Sequence, residues 1–191
     1  MANTDDRRFY NLEEYLFDEV SQRYEREGML SAFDFFCIII WKANRAKSRI
    51  SDLLLAQGYD DLEAAVSALL TQVHEAGDSK QRLKVLIKHW GFRLPTASAI
   101  LTVLYPTEFT VYDVRVCDVL DNFRLVQHKV NFDSLWQGYL EYMTAVSKSG
   151  AAGLSLRDRD RLLWGTSFAK ELREDLQRKF PRRASEREDD A

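Results

Sequence analysis

Apolar residues return every three or four positions along almost the whole chain, and nowhere do they alternate with polar ones over the length of a strand. Such spacing belongs to helices, whose buried face recurs every 3.6 residues, whereas a half-buried strand has period two. The pattern predicts an all-α protein of eight or nine helices. From Asn11, the set Leu12, Tyr15, Leu16, Val20 and Tyr24 marks a first helix. Asn11 and Glu14 have the spacing of a capping box, and Gly28 is the stop. Ser31 then leads into Phe33, Phe35, Phe36, Ile38, Ile39 and Ile40, apolar nearly all round. Alone, that run also suits a buried strand; with no alternating partner elsewhere it is predicted to be the central helix.

After it comes WKANRAKSR, residues 41–49, predicted to leave the central helix as a loop bearing Lys42, Arg45, Lys47 and Arg49 and no acid. Helical patterns resume over Ile50 to Gln57, and again past Leu62, Val66, Leu69, Leu70 and Val73 with Asp60 or Asp61 as cap. Asp78 or Ser79 starts another helix, residues 128–133 link to one more containing Leu135, Trp136, Tyr139, Leu140, Met143 and Val146, and Gly150 and Gly153 mark a clear break. Ser155 caps the last helix, expected to run to about Phe180 with Leu162, Leu163, Trp164, Phe168, Leu172 and Leu176 on its inner side. Residues 1–10 are predicted to be loose, 11–180 to form one helical unit, and 181–191, RRASEREDDA without the leading proline, to be a charged disordered tail.

The most informative stretch is KVLIKHWGFRLPTASAILTVLYPTEFTVYDVRVCDVL, from Lys84 to Leu120. A helix stops at Trp90-Gly91, a tight turn follows through Pro95, and a second helix continues to Leu104. Glycine allows the positive φ such a turn needs, and proline suits the first turn of a helix. Past Pro106 an extended piece delivers Asp113 to the start of a third helix. Between Lys80 and Arg93 the sequence holds Lys80, Arg82, Lys84, Lys88 and Arg93 without an acid, although the whole chain carries a net charge of −3. A helix N-terminus inside a basic patch suits a polyanion.

Composition excludes several classes. At 191 residues, with 46% hydrophobic and 30% charged, the chain is an ordinary globular one. Two cysteines, Cys37 and Cys117, both among apolar neighbours, make neither a disulfide framework nor a four-thiolate metal or cluster site. His74, His89 and His128 lack metal-ligand spacing. The longest apolar run, Phe35 to Trp41, is too short to span a bilayer. The expectation is a soluble, cytoplasmic protein, nucleoid-associated if bacterial, with no membrane partner, metal or small-molecule cofactor.

Gly91-Phe92-Arg93-Leu94-Pro95-Thr96-Ala97-Ser98-Ala99-Ile100-Leu101, with Val111-Tyr112-Asp113-Val114-Arg115 downstream, resembles the helix-hairpin-helix motif of the DNA glycosylases that include endonuclease III and the adenine glycosylase. The likeness is strongest over residues 83–120, with the hairpin motif at 83–104. It implies a two-lobed helical bundle with a cleft between lobes, and double-stranded DNA as partner. Gly91, Phe92, Arg93, Thr96 and Ala97 would clamp the phosphate backbone, aided by Lys88. Lys42, Asn44 and Arg45 would contact DNA beside the flipped nucleotide, whose gap Trp41 or Asn44 would fill. Asp113 would be the catalytic carboxylate, with Trp41, Tyr112 and Arg115 around the base.

Three departures qualify this. Arg93 stands where the second hairpin glycine usually sits, and Pro95 where bifunctional members carry an imine-forming lysine; the iron–sulfur cysteines are absent. The resemblance therefore implies monofunctional hydrolysis of the N-glycosidic bond. Plainer readings stand beside it: Asp113 as a helix N-cap, which is compatible with catalysis, Gly91 as a C-cap, and Trp41, Trp90, Trp136 and Trp164 as core or lobe-interface residues. Tyr112 is either core or pocket. The competing functions are a non-catalytic DNA-binding or recruitment module on the same scaffold, and a helical protein-interaction domain.

Overall fold

The computed structural model describes residues 5–178, and the predicted tail at 181–191 lies outside them. Among the described residues every regular element is helical. Nine helices result when π-helical stretches are counted with the α-helices they continue. They are α1 (12–27, π-helical over Tyr15–Val20), α2 (Ala32–Ala43), α3 (Lys47–Leu55), α4 (Leu62–Glu75), α5 (79–89, π-helical over Val85–His89), α6 (Leu94–Leu104), α7 (Val114–Leu120), α8 (Phe132–Ser147) and α9 (Leu156–Gln177). Among the described residues no helix is long and apolar enough to cross a membrane.

Local chemistry sets most helix starts. Ser31, Asp61, Asp78, Asn131 and Ser155 each accept the backbone N–H three residues on, which satisfies an amide the helix itself leaves orphaned. Asn11 accepts from the Glu14 N–H, while its own amide donates to the Glu14 carboxylate, a side-chain version of the expected box. Gly28 ends α1 with φ +68°, and Gly91 ends the hairpin turn's first half with φ +71°. Both are in the left-handed region that favours glycine.

The core centres on α2 and α6. Phe35, Ile38 and Ile39 of α2 are buried with Ala97, Ile100 and Leu101 of α6, and α1, α4 and α5 surround them. The Phe35–Ile40 run is thus a helix, as predicted. The last three helices join the same core through Val116, Tyr139, Tyr142 and Leu163, with α9 packed on α7 and, less extensively, on α8.

Three expectations need correction. Residues 6–10 form a 3-10 turn capped by Asp5, and Phe9 makes edge contacts with Tyr15 and Phe33, so this part of the N-terminus is ordered by aromatic packing. The basic stretch after α2 is no loop beyond a 3-10 turn at Asn44–Ala46, since α3 begins at Lys47. On α9 only Asp160 and Leu163 are buried, whereas Leu162, Trp164, Phe168, Leu172 and Leu176 are exposed. Leu162 and Trp164 flank buried Leu163 at the same height on α9, so the face they occupy sets their exposure; farther along, α7 has seven residues against twenty-two in α9 and does not reach the C-terminal turns that carry Leu172 and Leu176.

Candidate functional site

Asp113 reaches its position through an extended segment that has no sheet to join. Three buried side chains take over the work of a neighbouring strand. Ser98 Oγ accepts the Tyr112 N–H at 2.8 Å, Tyr139 donates its hydroxyl to the Thr110 carbonyl at 2.5 Å, and Tyr142 donates to the Val111 carbonyl at 2.7 Å. Burial drives the phenols of Tyr139 and Tyr142 well above their ordinary range, so both stay protonated donors. The Asp113 N–H in turn points at the Tyr142 hydroxyl at 3.4 Å.

The Asp113 side chain has two partners. One oxygen accepts the Arg115 N–H at 2.9 Å and caps α7; the other accepts from Lys42 Nζ, delivered by the last turn of α2. With 21% of the Asp113 side chain and 13% of that of Lys42 exposed, the pair is largely dry yet reachable from solvent. It lines a cavity of about 400 Å3. Trp41, Val111 and Trp164 give that cavity apolar walls, while Glu13, Arg157, Asp160 and Arg161 complete its polar lining. Asp113 and Lys42 also line an adjoining hollow of about 600 Å3, where Pro95 from the first turn of α6 meets Arg115.

Charge in the cavity is balanced by contact. Arg157 bridges Glu13, at 2.5 Å, and Asp160, and its guanidinium stacks over Phe17 and Trp41 at 5.0 and 5.1 Å. Arg161 adds a second bond to Glu13 at 2.7 Å. Burial raises the Glu13 carboxyl, but Arg157 and Arg161 outweigh it and leave the group below the ordinary range. Asp160 goes the other way: burial pushes it up to about 6, against the pull of Arg157 and Lys42 and with help from Asp113. A site of this kind holds two carboxylates paired with cations, Glu13 and Asp113, one carboxyl pushed up to about 6, Asp160, and flat aromatic walls. It is suited to stabilising positive charge that develops on a bound ring.

Several predicted residues stand elsewhere. Tyr112 is fully buried with its hydroxyl on the Phe123 carbonyl, and it lines the adjoining hollow and not the aromatic-walled cavity. Phe92, Thr96 and Ala97 are buried, so their side chains have no contact to offer a ligand. Gly91, Arg93, Asn44 and Arg45 are exposed, and so is Lys88, which donates to the Val130 carbonyl at 3.1 Å. Lys42 turns inward, away from the company of Asn44 and Arg45 that its place in the sequence suggested. Arg115 pairs with Glu171 and lies over the stacked rings of Trp164 and Phe168 at 5.4 and 5.7 Å. Around the hairpin, folding supplies acids the local sequence lacks: Lys80 pairs with Asp133 and Arg82 with Glu108, each at 2.8 Å.

Sequence reasoning missed Glu13, Arg157 and Asp160. The signal for Asp160 was present, since Leu156, Asp160 and Leu163 share one helix face at steps of four and three, and a carboxylate on an apolar stripe is an anomaly. It was hidden in RDRDR, which looks like a solvated turn. Among the described residues no group of three or more His, Cys, Asp or Glu side chains is placed to hold a metal ion. No family model matches this chain, and no curated protein or solved structure matches it either.

Proposed function

We propose that the protein binds double-stranded DNA, flips a modified or mispaired base into the Asp113 cavity, and hydrolyses its N-glycosidic bond. In this reading α1–α6 and α7–α9 are two lobes. The α5–turn–α6 unit is the helix-hairpin-helix clamp, and the cavity between Trp41 on one lobe and Trp164 on the other receives the base. The observation that carries the proposal is the placement of Asp113, a carboxylate clamped by backbone at the mouth of an aromatic-walled cavity and sharing a hollow with the first turn of the hairpin helix.

Breaking the bond leaves positive charge on the sugar, with the electron pair going to the base nitrogen. A fixed carboxylate in a mostly dry site favours that charge more than water does. Pro95 has no N–H and the Thr96 and Ala97 N–H groups both bond the Arg93 carbonyl, so it is the positive dipole end of α6, with no side-chain cap on it, that would attract a DNA phosphate approaching past Gly91. Exposed Asn44 and Arg45 would meet the backbone near the cavity mouth. Excision measured in single turnover on duplexes carrying a panel of lesions tests this. Asp113→Asn is expected to slow release by roughly 100-fold or more; release at the wild-type rate would remove Asp113 from catalysis.

A second reading, a DNA-binding or recruitment module without activity, is favoured by the Lys42–Asp113 ion pair, which already satisfies the carboxylate. Gel-shift binding with no base release from any substrate would select it.

A further inference from the structure

The chemistry just proposed ends in a product that the cavity is equipped to capture. Loss of a base leaves a deoxyribose hemiacetal, which equilibrates with an open-chain aldehyde at the carbon that held the base. That carbon would lie at Asp113. The amine nearest that carboxylate is Lys42, in hydrogen-bond contact with it. Arginine guanidinium groups do not condense with aldehydes under these conditions, and the other cations of the aromatic-walled cavity, Arg157 and Arg161, are of that kind.

We propose that Lys42 forms a covalent imine with the aldehyde of an abasic site. This rests on the reading that the Asp113 cavity receives the deoxyribose. The steps balance without any redox partner. Lys42 Nζ passes a proton to the Asp113 carboxylate, and its lone pair attacks the aldehyde carbon. The carbonyl electron pair moves to oxygen, which takes up the proton held by Asp113. The carbinolamine then loses water, its nitrogen giving up a further proton, to form C=N.

Three features of the fold favour this step. First, the Lys42 side chain is 13% exposed, so little water competes for the amine. Second, Asp113 supplies a proton acceptor already in contact. Third, α2 is held in the centre of the core by Phe35, Ile38 and Ile39, which fixes the helix that carries Lys42. The proline at position 95 removes an imine lysine from the hairpin helix; it has no bearing on an amine that arrives from α2.

The test uses the full chain and a duplex with a single preformed abasic site, so it does not depend on knowing which base is excised. Sodium borohydride reduces an imine to a stable secondary amine, which a denaturing gel reads as a cross-linked species. Wild-type protein is expected to give that species, and peptide mapping is expected to place the added mass on Lys42. Lys42→Ala and Lys42→Arg should both reduce it to background, while Lys148→Ala, at the exposed position that follows the last residue of α8, should cross-link as wild type does. Lys42→Arg keeps a cation beside Asp113, and an unchanged thermal midpoint for it separates loss of the amine from loss of the fold. No adduct from the wild type, or an adduct mapped to another amine, overturns the proposal. Cross-linking at Lys42 without base release from any lesion would support the imine and sink the glycosylase reading. Base release without cross-linking would do the reverse.

Discussion

Of the eleven residues of α6 ten are buried, and of the twenty-two of α9 only two are. Both helices line the hollows around Asp113, α6 through Pro95 and α9 through Trp164 and Glu171. Their roles differ because their surroundings do. Helices α1, α2 and α5 all pack on α6, and its sequence, LPTASAILTVL, offers no charge to expose. In α9 a row of apolar side chains at steps of four, Trp164, Phe168, Leu172 and Leu176, remains half in solvent. One helix holds the fold and the other furnishes the cavity wall, so substitutions should divide accordingly between stability and binding.

The largest effect on stability should come from α6. Ile100→Ala, at a fully buried site, is expected to cost about 3–4 kcal/mol in thermal or denaturant unfolding. A loss below about 1 kcal/mol would mean that α6 is not the centre of the core.

Next is Asp160, the buried carboxyl of α9. Its folded pKa of about 6 lies above the ordinary 3.8, so the native state holds the proton more tightly than the unfolded chain does. That contribution is present in full below the unfolded value and is lost as pH rises through the folded one. Relative to Asp160→Asn, the wild type should therefore lose up to about 3 kcal/mol between about pH 4 and pH 7. Parallel stability curves for the two proteins would show that Asp160 does not titrate in this window.

A smaller change is expected at the hairpin. Gly91→Ala meets only Leu53 at ordinary contact distance, 3.7 Å, so its cost is the backbone's alone. At φ +71° that is roughly 1 kcal/mol. A neutral result would argue that the turn can relax, and would weaken its use as a rigid phosphate clamp. Smallest of all should be Leu172→Ala on α9, within about 0.5 kcal/mol because the side chain is already exposed. A loss of several times that size would mean that a partner, such as another copy of the chain, covers the face.

The same contrast explains what could be read from the sequence. Helix starts were legible because a cap is a local event: Ser31, Asp61, Asp78, Asp113 and Ser155 each bond an amide within three residues. The turn at Gly91 and the delivery of Asp113 to α7 were legible for the same reason. The burial of α6 was foreshadowed by its composition. What stayed hidden depends on chain segments far apart. Lys42 and Asp113 are 71 residues apart, and the Arg157–Glu13 contact spans 144. No periodicity announces such pairs. The exposure of the α9 stripe was misread because its spacing is that of a buried face, and spacing alone does not show which face of the helix the neighbouring helices cover.

The tyrosines beneath Asp113 carry one more consequence. A strand in a sheet bonds to a ladder of near-identical backbone groups and can slip along it by two residues with little change in bonding. The segment before Asp113 has no ladder. Its carbonyls at Thr110 and Val111 meet single hydroxyls, each at the end of a rigid ring rooted in α8, and a slip would leave both carbonyls and both phenols unpaired in the core. Alternative registers are therefore excluded, and the depth at which the carboxylate sits is set by the length of a tyrosine side chain.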